Sequence, residues 1–473
     1  MPEPAVPATA GRPGRRPWAA VAALCLIQFV DVLCVTVIVT TLPRMLADVD
    51  AAAADSTLIA TAYAMFFGGL LMFGARLGDR IGHRRCILVS LAVFAGGALL
   101  AATAGSALAL TVARCVQGAA AAGAVPAALR LLTSLPTGGP TRNRAVAAWS
   151  AAGAAAGASG YVVGGVVTDV GSWRLIFWGL VGLSVLQAVA ILTLVPAGPP
   201  LARQPVNVIG SGLFTAAIML VVVGTALLGD HRHRVLGGLL LGAAVVVLGG
   251  FGAADRRSAA PLLPRSVLAL PQLSRGTAGA FINTATTSSA ATLLTLYLQG
   301  GLGRTPLAAA ATLLPLSLFV IVGSVAAGRL GDRLSAERVT AAGLLLIGVG
   351  IGLLIVRPAV AVLVSVSVAV VGFGLGLASV ASTALATDVP EQPRATASGI
   401  VNTGAQLGTA IGTAVILLVA TATTGVPGGS DRVPYVGWAA GAALALGAAV
   451  VFTRLRQPAK RRTAAETSGL SPG

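Results

Sequence analysis

Asp31 and Arg114 are the only formal charges set well inside the long apolar runs of this 473-residue chain. Keeping a charge within a bilayer costs roughly 2.5 to 3.5 kcal/mol on insertion scales, so a charge retained there marks a functional site by default. The two are opposite in sign. A carboxyl deprived of water is disfavoured as the anion, which suits it to taking up and releasing a proton, and a fixed cation nearby favours the release. Asp31 has Gln28 three residues earlier on its helix, and Arg114 has Gln117 and Gly118 three and four residues later. The competing readings are an Asp bonded permanently to its neighbours and an Arg whose long side chain reaches outward to the interface.

The elements that hold this pair are apolar helices. The chain is 56% hydrophobic and only 10% charged, with a mean hydropathy of +0.89, which lies outside the range of soluble domains. Runs of about 20 apolar residues cross roughly 30 Å of hydrocarbon as helix. Fourteen begin near Trp18, Thr57, Arg85, Ala107, Arg144, Trp173, Asn207, Val235, Gly276, Pro306, Glu337, Ala359, Arg394 and Val433. The basic lead Arg12, Arg15, Arg16 runs into a stretch too long for a cleavable signal, so the first run is expected to stay as a helix. Cys25, Cys34, Cys86 and Cys115 have neither paired spacing nor histidine neighbours, which points to packing and away from disulfides or metal.

A net charge of +17 raises the possibility of nucleic acid, but the bases are placed by topology. With the N-terminus cytoplasmic, clusters such as Arg76, Arg80, Arg84, Arg85 and Lys460, Arg461, Arg462 fall inside, while Asp48, Asp50 and Asp55 crowd the first external loop. An even number of spans returns the C-terminus to the cytoplasm of a bacterial plasma membrane.

Arg76-Leu77-Gly78-Asp79-Arg80 recurs as Arg329-Leu330-Gly331-Asp332-Arg333, and Arg144-Ala145-Val146-Ala147 recurs at nearly the same offset as Arg394-Ala395-Thr396-Ala397. The repeat predicts two six-helix halves with two helices inserted between them. The segment from Leu77 to Arg85 resembles the loop motif between helices two and three of the major facilitator superfamily, and Arg114-Cys115-Val116-Gln117-Gly118 its fourth-helix motif. The two extra helices, Tyr297-Leu298-Gln299, and the run from Ala397 through Asn402 to Gly408 resemble the 14-spanner drug:proton antiporters. There are departures. The family's first-helix acid position holds Cys34, with Asp31 one turn earlier; the fifth-helix motif reads Gly160-Tyr161-Val162-Val163-Gly164-Gly165 without its proline; and Ser335 replaces Gly82 in the second loop.

The fold expected is an all-α membrane protein of two six-helix bundles plus two central helices. It divides into a tail at 1–17, a bundle at 18–195, a two-helix linker at 196–260, a second bundle at 261–455 and a tail at 456–473. The resemblance implies that Arg114 takes part in proton transfer, and the role of the family's first-helix acid carries over to Asp31 only by approximation, since it lies one turn from that position. It also implies a latch in which Asp79 meets the helix start at Arg394 and Asp332 meets the one at Arg144, with Arg80 and Arg333 beside the two acids. The alternative is that these loops are basic anchors. Polar stripes along Thr284, Ser288, Thr292 and along Asn402, Gln406 either hold helices together or line a substrate cavity with Gln28, Phe29, Tyr63, Phe66, Phe67 and Gln117.

The function expected is proton-coupled efflux of a small lipophilic compound by alternating access. A proton-coupled importer is the rival within transport, and a membrane enzyme or receptor the rival outside it. No nucleophile motif, nucleotide loop or metal cluster supports an enzyme. The expected partners are the substrate, protons and lipid, with no cofactor, nucleic acid or obligate protein.

Overall fold

A computed structural model of the chain describes residues 15–51, 53–134, 139–196, 207–228, 233–259, 261–263, 266, 269–331, 333–356, 358–389, 391–424 and 434–454. Its elements are helices. The first half comprises α1 (Arg15–Asp48), α2 (Ala53–Ile81), α3 (His83–Ala102), α4 (Ala107–Ser134), α5 (Gly139–Val170) and α6 (Arg174–Leu194). Then come α7 (Val208–Leu228) and α8 (Arg234–Arg257). The second half comprises α9 (Pro271–Leu296), which ends in a π turn Tyr297–Gly301, then α10 (Pro306–Gly331), α11 (Ala336–Val356) and α12 (Ala361–Thr387). It closes with α13, running from Glu391–Leu407 through a π turn Gly408–Gly412 into Thr413–Thr424, and α14 (Tyr435–Arg454).

Among the described residues, 13 helices are long and apolar enough to cross a membrane. The remaining membrane-length helix is α9, 26 residues long, whose Thr and Ser content lowers its hydropathy while Thr286, Thr287, Ser289, Thr292 and Thr295 are all buried. It belongs among the others because those hydroxyls bond to helix carbonyls, as Thr286 does to Ile282 and Ser289 to Ala285, so they need no water.

Each half has its own core, one built on α1 to α6 around Leu24, Phe67 and Phe177, the other around Leu313, Ile347 and Trp438. The inserted α7 packs on α2 and on the π-turn region of α13, where Phe66 and Phe214 meet Ile218, Ala410 and Ala414; α8 packs mainly on α7. The tight turn into α3 depends on Gly82, whose φ of 92° favours glycine. Its counterpart Ser335 needs no such backbone: Ser335 Oγ instead accepts from the Arg338 N–H at the start of α11. The second loop is a different turn, which explains why the repeat departs there.

The two ends of the bundle differ along α1. Near Asp48, Gln299 Nε2 donates to the Thr40 carbonyl at 2.7 Å, and Gly165 of α5 lies against Pro306, Leu307 and Ala310 of α10. At mid-height Ser317 Oγ donates to the Gly157 carbonyl at 2.8 Å. Toward the end that carries Asp79, the same α1 stripe continues as Phe29, Cys25, Ala22 and Trp18 and lines a cavity of about 340 Å³ with Ala148 and Ala152 of α5. Along the α1–α5 face the halves thus meet at the Asp48 end and the face opens toward the Asp79 end, while α2 and α13 stay packed toward that end, with Met72 against Gly399 and Ile400.

Candidate functional site

Helix α1 delivers Asp31 into the interior of the first half, where it is 7% exposed. The Tyr63 hydroxyl of α2 donates to Asp31 Oδ1 at 2.5 Å. Arg114 of α4, 1% exposed, places its guanidinium 4.7 Å from the Tyr63 ring centroid. Its Nη1 reaches Cys34 Sγ at 2.9 Å and Gln117 Oε1 at 3.2 Å. Cation–π attraction of this kind, when desolvated, is worth about 2 kcal/mol, and a hydrogen bond to a charged group about 1.5–3 kcal/mol. Gly118 makes the arrangement possible: a Cβ there would collide with the Tyr63 carbonyl, so only glycine lets α4 approach α2 at this level. The cation reaches the acid through a tyrosine and stands directly beside Cys34, the position where the resembling family keeps its acid.

Arg114 Nε and Gln117 Nε2 are buried without a hydrogen-bond partner. Such donors carry a desolvation cost and are available to a rearranged partner. On the Asp31 side of the cluster lies a cavity of about 20 Å³ lined by Asp31, Tyr63, Ser90, Gln187 and apolar neighbours.

The residues expected to line the substrate cavity are dispersed. Tyr63 and Gln117 are in the sealed Asp31–Arg114 cluster. Gln28 faces α5, where a Cβ on Gly153 would stand 3.1 Å from its Nε2, and Phe66 packs into the α2–α7–α13 seam. Thr284 Oγ1 donates to the Ala405 carbonyl at 2.6 Å and Ser288 Oγ lies 3.4 Å from Thr409 Oγ1, so this stripe ties α9 to α13. Thr292 is buried and bonds to its own helix at the Ser288 carbonyl. Gln406 lies against Gly68 of α2, and Asn402 is exposed. The described cavity on the α1–α5 face is lined by apolar side chains, of which Phe29 alone belongs to the expected set.

At the proposed latch, Asp79 pairs with His83 Nε2 at 3.4 Å, while Arg80, Arg144 and Arg333 are exposed. Asp332 and the side chain of Arg394 lie outside the described residues, as do the tails at 1–14 and 455–473.

A second buried carboxylate was not singled out by the sequence. Asp255, at the last turn of α8, accepts from Asn207 Nδ2 at 2.8 Å and from the backbone N–H groups of Leu262 at 2.6 Å and Leu263 at 3.1 Å. Arg76 Nη2 donates to the adjacent Pro261 carbonyl at 2.5 Å. The clasp fastens the inserted pair and the segment before α9 to the Arg76–Arg80 motif. Position alone hid it, because an acid at a helix end beside Arg256 and Arg257 looks solvated until the chain folds back over it.

A family model described as the Major Facilitator Superfamily matches residues 24–254 and 276–472. The chain is 32% identical over 337 residues to the lincomycin resistance protein of Streptomyces lincolnensis, covering 71% of this chain and 69% of that one. It is 31% identical over 418 residues to the cephamycin export protein CmcT of Amycolatopsis lactamdurans, covering 85% of each. To the multidrug efflux pump LfrA of Mycolicibacterium smegmatis it is 28% identical over 425 residues, covering 88% and 83%. In fold it is similar to a bacterial homolog of the human lysosomal transporter Spinster, solved inward-facing and unoccupied, with a TM-score of 0.64 at 16% identity over 93% of this chain and 95% of that one. The family expected from the loop and fourth-helix motifs is therefore the family found: this chain belongs to the Major Facilitator Superfamily and is a multi-pass membrane transporter, not an enzyme.

Proposed function

We propose that the protein exports small lipophilic compounds in exchange for protons, with Asp31 as the proton carrier and both termini in the cytoplasm. The observation that supports this most directly is the division of labour on α1. Asp31 points into the first half toward Tyr63 and Arg114, and the opposite stripe of the same helix, through Phe29 and Cys25, lines the cavity. Protonating Asp31 removes an anion that Tyr63 and Arg114 hold, so α1 can settle differently against α2 and α4 and carry its cavity face with it. The names of CmcT, an export protein, and LfrA, an efflux pump, support the direction.

On this reading the Asp79 end is cytoplasmic, the cavity opens inward, and the Gln299–Thr40 contact closes the outside. Asp79 and Asp332 act as latches at the start of α13 and α5, with Arg394 and Arg144 at those starts. The lining Trp18, Val21, Ala22, Leu26 and Phe29 favours neutral or weakly acidic lipophiles, because a dication would need carboxylates to replace its hydration.

Expression in a pump-deficient bacterium, challenged with neutral, anionic and dicationic compounds, tests the reading. Resistance to neutral or weakly acidic lipophiles that Asp31→Asn removes is expected. Resistance confined to dicationic antiseptics would refute the substrate class, and resistance unchanged by Asp31→Asn would refute the coupling.

A further inference from the structure

The substrate cavity lies on the face of α1 turned away from Asp31, which leaves open how a proton reaches this acid. The small cavity inside the first half offers an answer. At about 20 Å³ it holds about one water, for which roughly 10–15 Å³ and two to four polar partners suffice. Asp31, Tyr63, Ser90 and Gln187 are its polar lining residues, and the rest of its wall is apolar. Gln187 is itself fixed, its Nε2 donating to the Leu26 carbonyl at 2.9 Å.

From this cavity a polar file runs along one face of α3, which repeats every three or four residues. Ser90 is followed one turn on by Cys86, and both converge on Gly123 of α4: a Cβ there would stand 2.5 Å from Ser90 Oγ and 3.5 Å from Cys86 Sγ. One turn further lies His83, whose Nδ1 is buried without a partner while its Nε2 faces Asp79 at 3.4 Å. The side chains of His83 and Asp79 are 15% and 28% exposed, so the file ends at solvent.

We propose that Asp31 exchanges its proton with the cytoplasm through the interior of the first half, by one water held at Ser90 and Gln187 and then along Ser90, Cys86 and His83, separately from the cavity that takes the substrate. In the outward hop the Asp31 carboxyl gives its proton to the water. The water passes one of its own protons to the Ser90 oxygen as the Ser90 hydroxyl proton moves to Cys86 Sγ, and the Cys86 thiol, turning from the Gly123 carbonyl to which it donates at 3.6 Å, gives its own proton to the unpartnered His83 Nδ1. Each relay group is left neutral, and the charge leaves at His83 and Asp79. The inference rests on Asp31 being the proton carrier, and its test separates the two.

The test is infrared detection of the Asp31 carboxyl band, assigned by its loss in Asp31→Asn, and its rate of deuterium exchange after the purified protein is switched into heavy water. Ser90→Val, which removes the hydroxyl and fills the space, should slow exchange at least tenfold. Gly123→Ala, which displaces that hydroxyl, should do likewise, and Ser90→Thr should exchange like wild type. Thermal melting confirms that each variant is folded. Wild-type exchange in both Ser90→Val and Gly123→Ala would overturn the path while leaving Asp31 a carrier. A carboxyl band with no contribution from Asp31 at any pH would overturn the carrier role itself, and the path with it.

Discussion

Asp31 and Phe29, two residues apart on α1, face opposite ways: Asp31 accepts from Tyr63 inside the first half, and Phe29 lines the open cavity. At 3.6 residues per turn the two are about 200° apart, so a single helix presents the proton site on one side and the substrate surface on the other. Phe29→Ala should therefore change selectivity without uncoupling. Loss of the ring should weaken transport of large lipophiles by about 10- to 100-fold, the equivalent of 1–3 kcal/mol of apolar contact, while proton movement per molecule transported stays the same. Paired drug and proton flux measurements check this.

Tyr63→Phe keeps the ring beneath Arg114 and removes the hydroxyl that bonds Asp31. The lost bond to a charged group is worth about 1.5–3 kcal/mol, so gradient-driven transport should fall at least tenfold while exchange of labelled substrate persists. Equal loss of both activities would make Tyr63 a packing residue.

Removing the Asp255 carboxylate leaves the Leu262 and Leu263 N–H groups and the Asn207 amide without their acceptor. Asp255→Ala should cost about 2–4 kcal/mol and lower the melting temperature in detergent by several degrees, and Asp255→Asn should lose less. An unchanged melting curve in Asp255→Ala would show that the clasp is slack.

Asp79→Ala should shift the resting population toward the cytoplasm-open state more than Asp332→Ala, because the first loop keeps Gly82 at positive φ and the second has Ser335 in another turn. Distances between spin labels across that face report the shift. No change in either variant would leave both acids as anchors.

Much of this was legible in the chain because the bilayer imposes length and apolarity on each span, and because a charge kept at depth stands out. Asp31 and Arg114 stand out that way, and the burial of Arg114 at 1% exposure removes the alternative in which it reaches outward. Their connection was not legible: Tyr63 looked like a cavity aromatic, and only the α2–α4 approach at Gly118 shows that it bridges the pair. Polar stripes were ambiguous for a related reason. Thr284 and Ser288 satisfy carbonyls and hydroxyls of the neighbouring helix, and spacing alone does not tell such a seam from a cavity wall. Asp255 escaped notice because its burial is created by the segment at 261–263, which is distant from any span pattern.

The central claim is that protonation of Asp31 drives export. The most direct measurement is compound flux in proteoliposomes under an imposed pH gradient, wild type against Asp31→Asn at equal protein abundance. The account predicts that wild type moves compound uphill with counter-movement of protons, and that Asp31→Asn still exchanges substrate but builds no gradient. Uphill transport by Asp31→Asn at the wild-type rate would contradict it.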